Sequence, residues 1–292
     1  MSLTFRILWS ALTVGAISPA QVFLVGGVGA HFADLPAAVA AAPDGATLWV
    51  RAGRYTAFTL SGKGLNFVGE GVVTLNRSST SRNLAIGGTT PRQVIVLRNI
   101  QLDDVPYVSL VGAAGPVCFE GCSAVGLRGP DVFVQSCANV QFLYCNLTST
   151  SSSDPPLFLG ARIHAIDSSL MLAGCQIRGT NWGGFLFCRP SSTVCTDGEC
   201  GAHALALLRS RAVVLRTDVR GGDGRPAHCT FMGPHGAGDG GAGCAAWDSM
   251  LIALESGLAG GVGGAGAYLY CREGIPPRTC PPGLQGASSQ VA

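Results

Sequence analysis

The order of apolar and polar positions becomes readable after residue 31. Phe32, Leu35 and Val39 recur at spacings of three and four and so share one face of a short helix. Asp34 stands where an N-cap accepts a backbone N–H, and Pro36 falls in the first turn, where its missing N–H costs nothing. Pro43-Asp44-Gly45 closes the helix with a turn. Short apolar runs at 47–50, 57–60 and 65–68, parted by Gly-containing turns, then predict three strands. The other helix positions are nearly all Ala, so the helix is expected to lie on an apolar surface as a lid.

Farther on, one kind of segment repeats: VIVLRNIQL (94–102), VCFEGCSAV (117–125), VQFLYCNL (140–147), LMLAGCQI (170–177), VVLRTDV (213–219) and LIALESGL (251–258). Their last apolar residues, Leu102, Val125, Leu147, Ile177, Val219 and Leu258, are 23, 22, 30, 42 and 39 residues apart. The short steps suit one coil of stacked strands, and the long ones a coil with an insertion. One coil cannot bury its own apolar face, whereas coils stacked at about 4.8 Å share a continuous core. Alternation turns Ile100, Ser123, Cys145, Cys175, Thr217 and Ser256 inward with these anchors. Between the two columns, Gln101, Ala124, Asn146, Gln176, Asp218 and Gly257 point outward or into a turn, where Asn146 and Gln176 can stack as an amide ladder.

The helix, the stretch A-A-P-D-G-x-T-L-x-V-x-x-G-x-Y and the following K-G-L-x-F-V-G-E-G resemble the opening of the pectin-lyase-like right-handed parallel β-helix superfamily. That resemblance implies an all-β fold, a right-handed parallel β-helix (solenoid) with a short N-terminal capping α-helix; the composition of the long steps adds Cys-rich loop insertions at 181–204 and 221–247. The domain then spans 21–280, followed by a flexible polar tail at 281–292. The same opening precedes many chemistries, among them pectinesterases and polysaccharide lyases, and some proteins with none.

Composition narrows the class. Gly at 42 and Cys at 12 fit no helical domain, and charged residues make up only 12%. Residues 1–20 read as a secretory signal: Arg6 ahead of an apolar core from Ile7 to Ile17, then Ser18-Pro19-Ala20 as a small-residue cleavage site. Without cleavage, residues 7–25 would remain as a marginal membrane anchor. Losing Arg6 leaves 18 basic and 17 acidic side chains, a balance that argues against a nucleic-acid or acidic-polymer partner drawn by net charge and leaves only a local basic strip open. Export favours disulfides, most simply Cys229 with Cys244, Cys271 with Cys280, and two among Cys188, Cys195 and Cys200. Cys118 and Cys122, four residues apart in a strand, are too far from one another to pair.

The chemistry is thinly signalled. The resemblance would supply a Gly-His-Gly with an R-I-K for polygalacturonases, an Arg-Pro in a coil for lyases, or Gln, Asp and Arg-x-Trp motifs for pectinesterases. The chain has Arg162-Ile163-His164 without the Gly-His-Gly, and Arg189-Pro190 lies in an insertion. Register offers one constellation. Arg178 and Arg220 follow their anchors in successive long coils and should stack on an outer face, with Asp218 on the same side. These three are the candidate catalytic residues, suited to carboxylated sugars through bidentate arginine contacts; as plain surface residues the arginines would instead pair with Asp167, Asp218 or Asp223. Trp182 and Trp247, at the insertion edges, are candidate sugar-stacking residues. The Gly-flanked Asp223 and Asp239, near His228 and His235, leave calcium open as a cofactor, although they lack the repeated spacing of a calcium loop. Zinc is weakly signalled, by Cys195, Cys200 and His203 with no C-x-x-C. The sequence thus reads as a secreted or cell-surface β-helix protein, non-catalytic and in contact with polysaccharide or cell-envelope glycan. The alternative is a diverged polysaccharide lyase or glycoside hydrolase acting on acidic glycans.

Overall fold

The computed structural model describes residues 21–77, 83–102, 105–124, 131–148, 161–181, 201–224 and 239–263, together with the strand backbones at 228–230, 233–235, 267–269, 278–280 and 289–291. The expected signal at 1–20 and Asp103-Asp104 lie outside the described residues. Strands far apart in sequence pair in parallel, in three sheets. A ten-stranded sheet runs from Val22–Val25 through Thr47–Val50, Asn66–Asn76, Ile95–Gln101, Val117–Glu120, Val140–Leu143, Ser169–Ala173 and Arg211–Leu215 to Met250–Leu254, with Gly53–Thr56 beside Asn66–Asn76. A seven-stranded sheet joins Thr59–Ser61, Leu84–Gly87, Tyr107–Val111, Asp131–Gln135, Ala161–Ile166, His203–Leu208 and Cys244–Trp247. A five-stranded sheet stacks Asn146–Leu147, Gln176–Arg178, Asp218–Arg220 and Ser256–Ala259, to which Ser289–Val291 adds antiparallel. The early circuits alternate between the seven- and ten-stranded sheets, and from Asp131 onward the chain visits the seven-, ten- and five-stranded sheets in turn, so the described coils stack as a parallel β-helix.

Local chemistry explains the first coil. The helix Leu35–Ala41 is capped by Asp34, whose Oδ1 accepts the Leu35 N–H at 2.8 Å and the Thr56 N–H at 2.9 Å. Leu35, Ala38 and Val39 are its buried residues. In the turn that follows, Asp44 accepts the Gly64 N–H at 2.6 Å.

Inside the coils like stacks on like, because in-register parallel strands place equivalent side chains one strand spacing apart. Leu97, Phe119, Phe142, Leu172, Val214 and Ala253 form one buried column, in which the Phe119 and Phe142 rings stack at 5.0 Å. The adjacent column is Ile100, Cys122, Cys145, Cys175, Thr217 and Ser256, none more than 6% exposed. Cys145 and Cys175 are thus interior, as expected. The predicted register is off by one in the second coil. Ser123 bridges Gln101 and Asn146, so Cys122 takes the inward place given to Ser123, Ala124 the anchor place given to Val125, and Ser123 the outward place given to Ala124. The corner decides this: each coil turns on one left-handed residue, Asn99, Gly121, Tyr144, Gly174, Arg216 or Glu255, and the residue after it points inward.

Those inward groups satisfy the backbone they bury, which otherwise would cost free energy. Thr217 Oγ1 and Ser256 Oγ accept the N–H groups of Cys175 and Thr217, each at 3.2 Å, and donate to the carbonyls of Leu215 and Leu254. The corner between the seven- and ten-stranded sheets repeats the device. Ser168, Ser210 and Ser249 accept the N–H groups of Cys137, Ser168 and Ser210 at 3.0, 3.1 and 3.0 Å.

The bases of the two insertions are zipped by backbone. Ala202 donates to the Thr180 carbonyl, Gly222 to Ala202, Gly241 to Gly222 and Gly261 to Gly241, every bond 2.8 Å long. A Cβ on Gly201, Gly221, Gly222, Gly241 or Gly261 would fall 1.8–2.1 Å from a neighbouring carbonyl oxygen. The described parts of the insertions differ from expectation in extent. Cys244–Trp247 belongs to the seven-stranded sheet, and His228–Thr230 pairs antiparallel with Gly233–His235. Ser289–Val291, expected within a flexible tail, pairs with Ser256–Leu258. Cys118, Cys122, Cys137, Cys145, Cys175 and Cys244 are free thiols, so Cys244 is not bonded to Cys229 in this structure. The other suggested pairings involve residues or side chains outside the described set.

Candidate functional site

Arg178 and Arg220 are direct register partners on adjacent strands of the five-stranded sheet. Asp223 joins them: its Oδ2 lies 2.5 Å from Arg178 Nη2 and its Oδ1 3.8 Å from Arg220 Nη2. The same Oδ1 accepts the Val262 N–H at 2.9 Å, and the Asp223 N–H donates to Asn181 Oδ1 at 2.9 Å. Asp223 is therefore a rung between coils as well as an ion-pair partner. Asp218 is exposed, leans over Gly257 and forms no ion pair with either arginine among the described residues. The structure brings the two arginines together and leaves Asp218 outside their pairing.

The remaining predicted residues lie elsewhere. Trp247 ends the last strand of the seven-stranded sheet and is 44% exposed. Trp182, Cys195 and Cys200 lie outside the described residues. His203 Nδ1 accepts the Ala242 N–H at 2.9 Å, and burial lowers its pKa. No group of three or more His, Cys, Asp or Glu that could hold a metal occurs among the described residues.

A second arrangement, on the outer face of the seven-stranded sheet, is better formed. In the strand Asp131–Gln135, Val132 and Val134 enter the core, so Asp131 and Phe133 face out. Tyr107 and Ser109 lie beside them on one neighbouring strand, and His164 is the partner of Phe133 on the other. Arg162 and His164 flank the inward Ile163, so the Arg-Ile-His noted above puts both polar side chains on this face. Tyr107, Ser109, Asp131, Phe133 and His164, with Asn83, line a cavity of about 120 Å3, and Arg162 lies beneath it.

Burial governs its electrostatics. Arg162 is fully buried, with Nη1 3.5 Å from Asp131 Oδ1 and Nε donating to the Arg178 carbonyl at 3.2 Å. Burial raises the Asp131 carboxyl to about 6, against the pull of Arg162. Burial lowers His164 below the ordinary imidazole range, so it is neutral at pH 7, and its ring lies 5.7 Å from that of Phe133. The cavity joins two aromatic rings to a carboxyl, an amide, a hydroxyl and a neutral imidazole. Hydrolysis of a glycosidic bond by paired carboxylates needs two, and among the described lining residues Asp131 is the one carboxyl. Beyond the strand expected at 57–60 this sheet carries no repeat like that of the ten-stranded one, although Tyr107-Val-Ser-Leu-Val and Asp131-Val-Phe-Val-Gln both alternate with period two.

No helix among the described residues is long and apolar enough to cross a membrane. No family model and no curated protein matches the chain. Among solved structures, the crystal structure of pectate lyase Pel9A is similar at 11% identity and a TM-score of 0.41, over 71% of this chain. The chain spans 55% of that protein's length.

Proposed function

We propose that this chain is an exported, right-handed β-helix protein, capped by the helix Leu35–Ala41, that binds polysaccharide without cleaving it. The supporting observation is that Tyr107, register partner of Asp131, and Phe133, from the adjacent coil, line one cavity with Asp131. Aromatic rings stack on the C–H faces of sugar rings, and the carboxyl, amide and hydroxyl groups beside them meet sugar hydroxyls. The leader-like pattern of residues 1–20 supports export. The alternative, a diverged lyase or hydrolase on acidic glycans, would need Arg178 and Arg220 released from Asp223.

One experiment separates the two. The chain from Gln21 is presented with soluble neutral and acidic polysaccharides, with and without calcium, and binding is read by affinity electrophoresis alongside reducing ends and unsaturated-product absorbance. Retardation without product, lost in Tyr107→Ala and Phe133→Ala, is the expected result. Product that disappears in Arg178→Ala or Arg220→Ala would establish the enzyme, and absence of retardation by every polymer would refute binding.

A further inference from the structure

The corner between the ten- and five-stranded sheets carries one residue that the fold does not require. Its left-handed positions are filled by Asn99, Gly121, Tyr144, Gly174, Arg216 and Glu255 in successive coils. Asn and Gly suit that backbone, and a bulky aromatic does not. Tyr144 nevertheless holds φ 55° and is 73% exposed, against 39% and 44% for Trp49 and Trp247. Its hydroxyl makes no hydrogen bond among the described residues, so no polar tether holds it, and its outer face is left to solvent.

The neighbouring coil makes room for this ring. A Cβ on Gly174 would lie 2.7 Å from Tyr144 Cδ1 and 2.9 Å from Cε1, so the ring lies across the Gly174 corner and a side chain there would displace it. Beyond it, Arg216 and Glu255 form an ion pair at 2.8 Å, with side chains 78% and 67% exposed. Leu215 and Leu254, register partners on the outer face of the ten-stranded sheet, complete an open groove of about 260 Å3. One aromatic platform, an aliphatic floor and a donor–acceptor pair thus succeed one another along the coil stack.

We infer that Tyr144, Gly174, Arg216 and Glu255 form a second saccharide subsite, which takes one ring of an extended neutral polysaccharide. The ring stacks on Tyr144, and its hydroxyls meet the Arg216–Glu255 pair. The ligand is neutral because Arg216 is already balanced by Glu255 and leaves no net charge for a uronate. Tyr144, Arg216 and Glu255 are all exposed, so an internal segment of a polymer can reach them. The saccharide class rests on the function proposed above; the site itself is separate from that cavity.

The test is affinity electrophoresis of the chain from Gln21 in gels containing hydroxyethylcellulose, xyloglucan or polygalacturonate. Tyr144→Asn removes the ring and suits the left-handed backbone, Tyr144→Phe keeps the ring, and Tyr107→Ala reports on the first cavity. Tyr144→Asn is expected to weaken retardation by a neutral polymer about fivefold, within the range of one aromatic stack, while Tyr144→Phe binds as wild type and neither variant melts earlier. Unchanged binding in Tyr144→Asn, with loss in Tyr107→Ala, would overturn the subsite and leave the proposed function standing. Loss in Tyr144→Asn alone would support the subsite and remove the cavity from the function. Wild-type retardation by polygalacturonate only, or a Tyr144→Asn effect on sedimentation rather than on binding, would overturn the inference in favour of an acidic ligand or a self-association surface.

Discussion

Replacing Gly222 by Ala adds one methyl group at a backbone geometry that Ala can adopt, so any cost comes from space alone. The new Cβ would stand 2.0 Å from the Thr180 carbonyl oxygen and 2.5 Å from its carbon. Ordinary contact begins near 3.4 Å, so two coils must part by more than 1 Å where they are bonded. That displacement breaks the bonds from the Gly222 N–H to Ala202 and from the Gly241 N–H to Gly222, both 2.8 Å. Each buried backbone group left unsatisfied costs about 1–3 kcal/mol, and the Ala side chain returns about 0.4–1 kcal/mol through the unfolded chain. The net expectation is a loss of about 2–5 kcal/mol, measured as the midpoint shift in guanidinium unfolding at constant slope. Gly257→Ala is the control. Its Cβ would meet only Asp218 Oδ1 at 3.4 Å, so stability should hold or rise slightly. Equal midpoints for the two variants would refute the view that backbone contact dictates glycine at these positions.

Further expectations follow from single groups. Asp34→Ala removes the acceptor of two backbone N–H groups and should lower stability by about 1–2 kcal/mol, with Asp34→Asn recovering most of it in a thermal melt. The Asp131 pKa lies at about 6 in the folded protein, above its unfolded value, so the folded state binds the extra proton. Stability from this group is therefore fully present below about pH 4, falls as pH rises to about 6 and is flat beyond, by at most about 3 kcal/mol. Melting the wild type and Asp131→Asn across that range checks this, since the variant should lose the slope; an identical slope would show that another group carries it. Among the thiols, hydrogen bonding to a neighbouring thiol, Cys122 for Cys145 and Cys145 for Cys175, together with burial, pushes Cys145 and Cys175 up. Among the described thiols, alkylation followed by peptide mapping at pH 8 should label the half-buried Cys118 before the buried Cys145, and equal native-state labelling of Cys145 would contradict its place in the core.

The sequence alone determined the elements whose signal is local. The helix Leu35–Ala41 was legible because Asp34, Pro36 and the Leu35/Val39 spacing act within one turn. The apolar repeats located every described coil of the ten-stranded sheet from residue 95 onward, because alternation sorts inward from outward side chains within one strand. That rule also placed Arg178 beside Arg220 and Cys145 beside Cys175. It could not say how one coil lies on the next, which depends on where the left-handed corner residue falls. Gly121 at the corner made Cys122, not Ser123, the inward residue. Nor could it join Tyr107, Asp131 and Arg162, which come from three coils, or choose Asp223 over Asp167 and Asp218 as the partner of the two arginines. Tertiary structure decided both, because an ion pair or a cavity is set by distance in space, and coil stacking brings together residues that no sequence spacing connects.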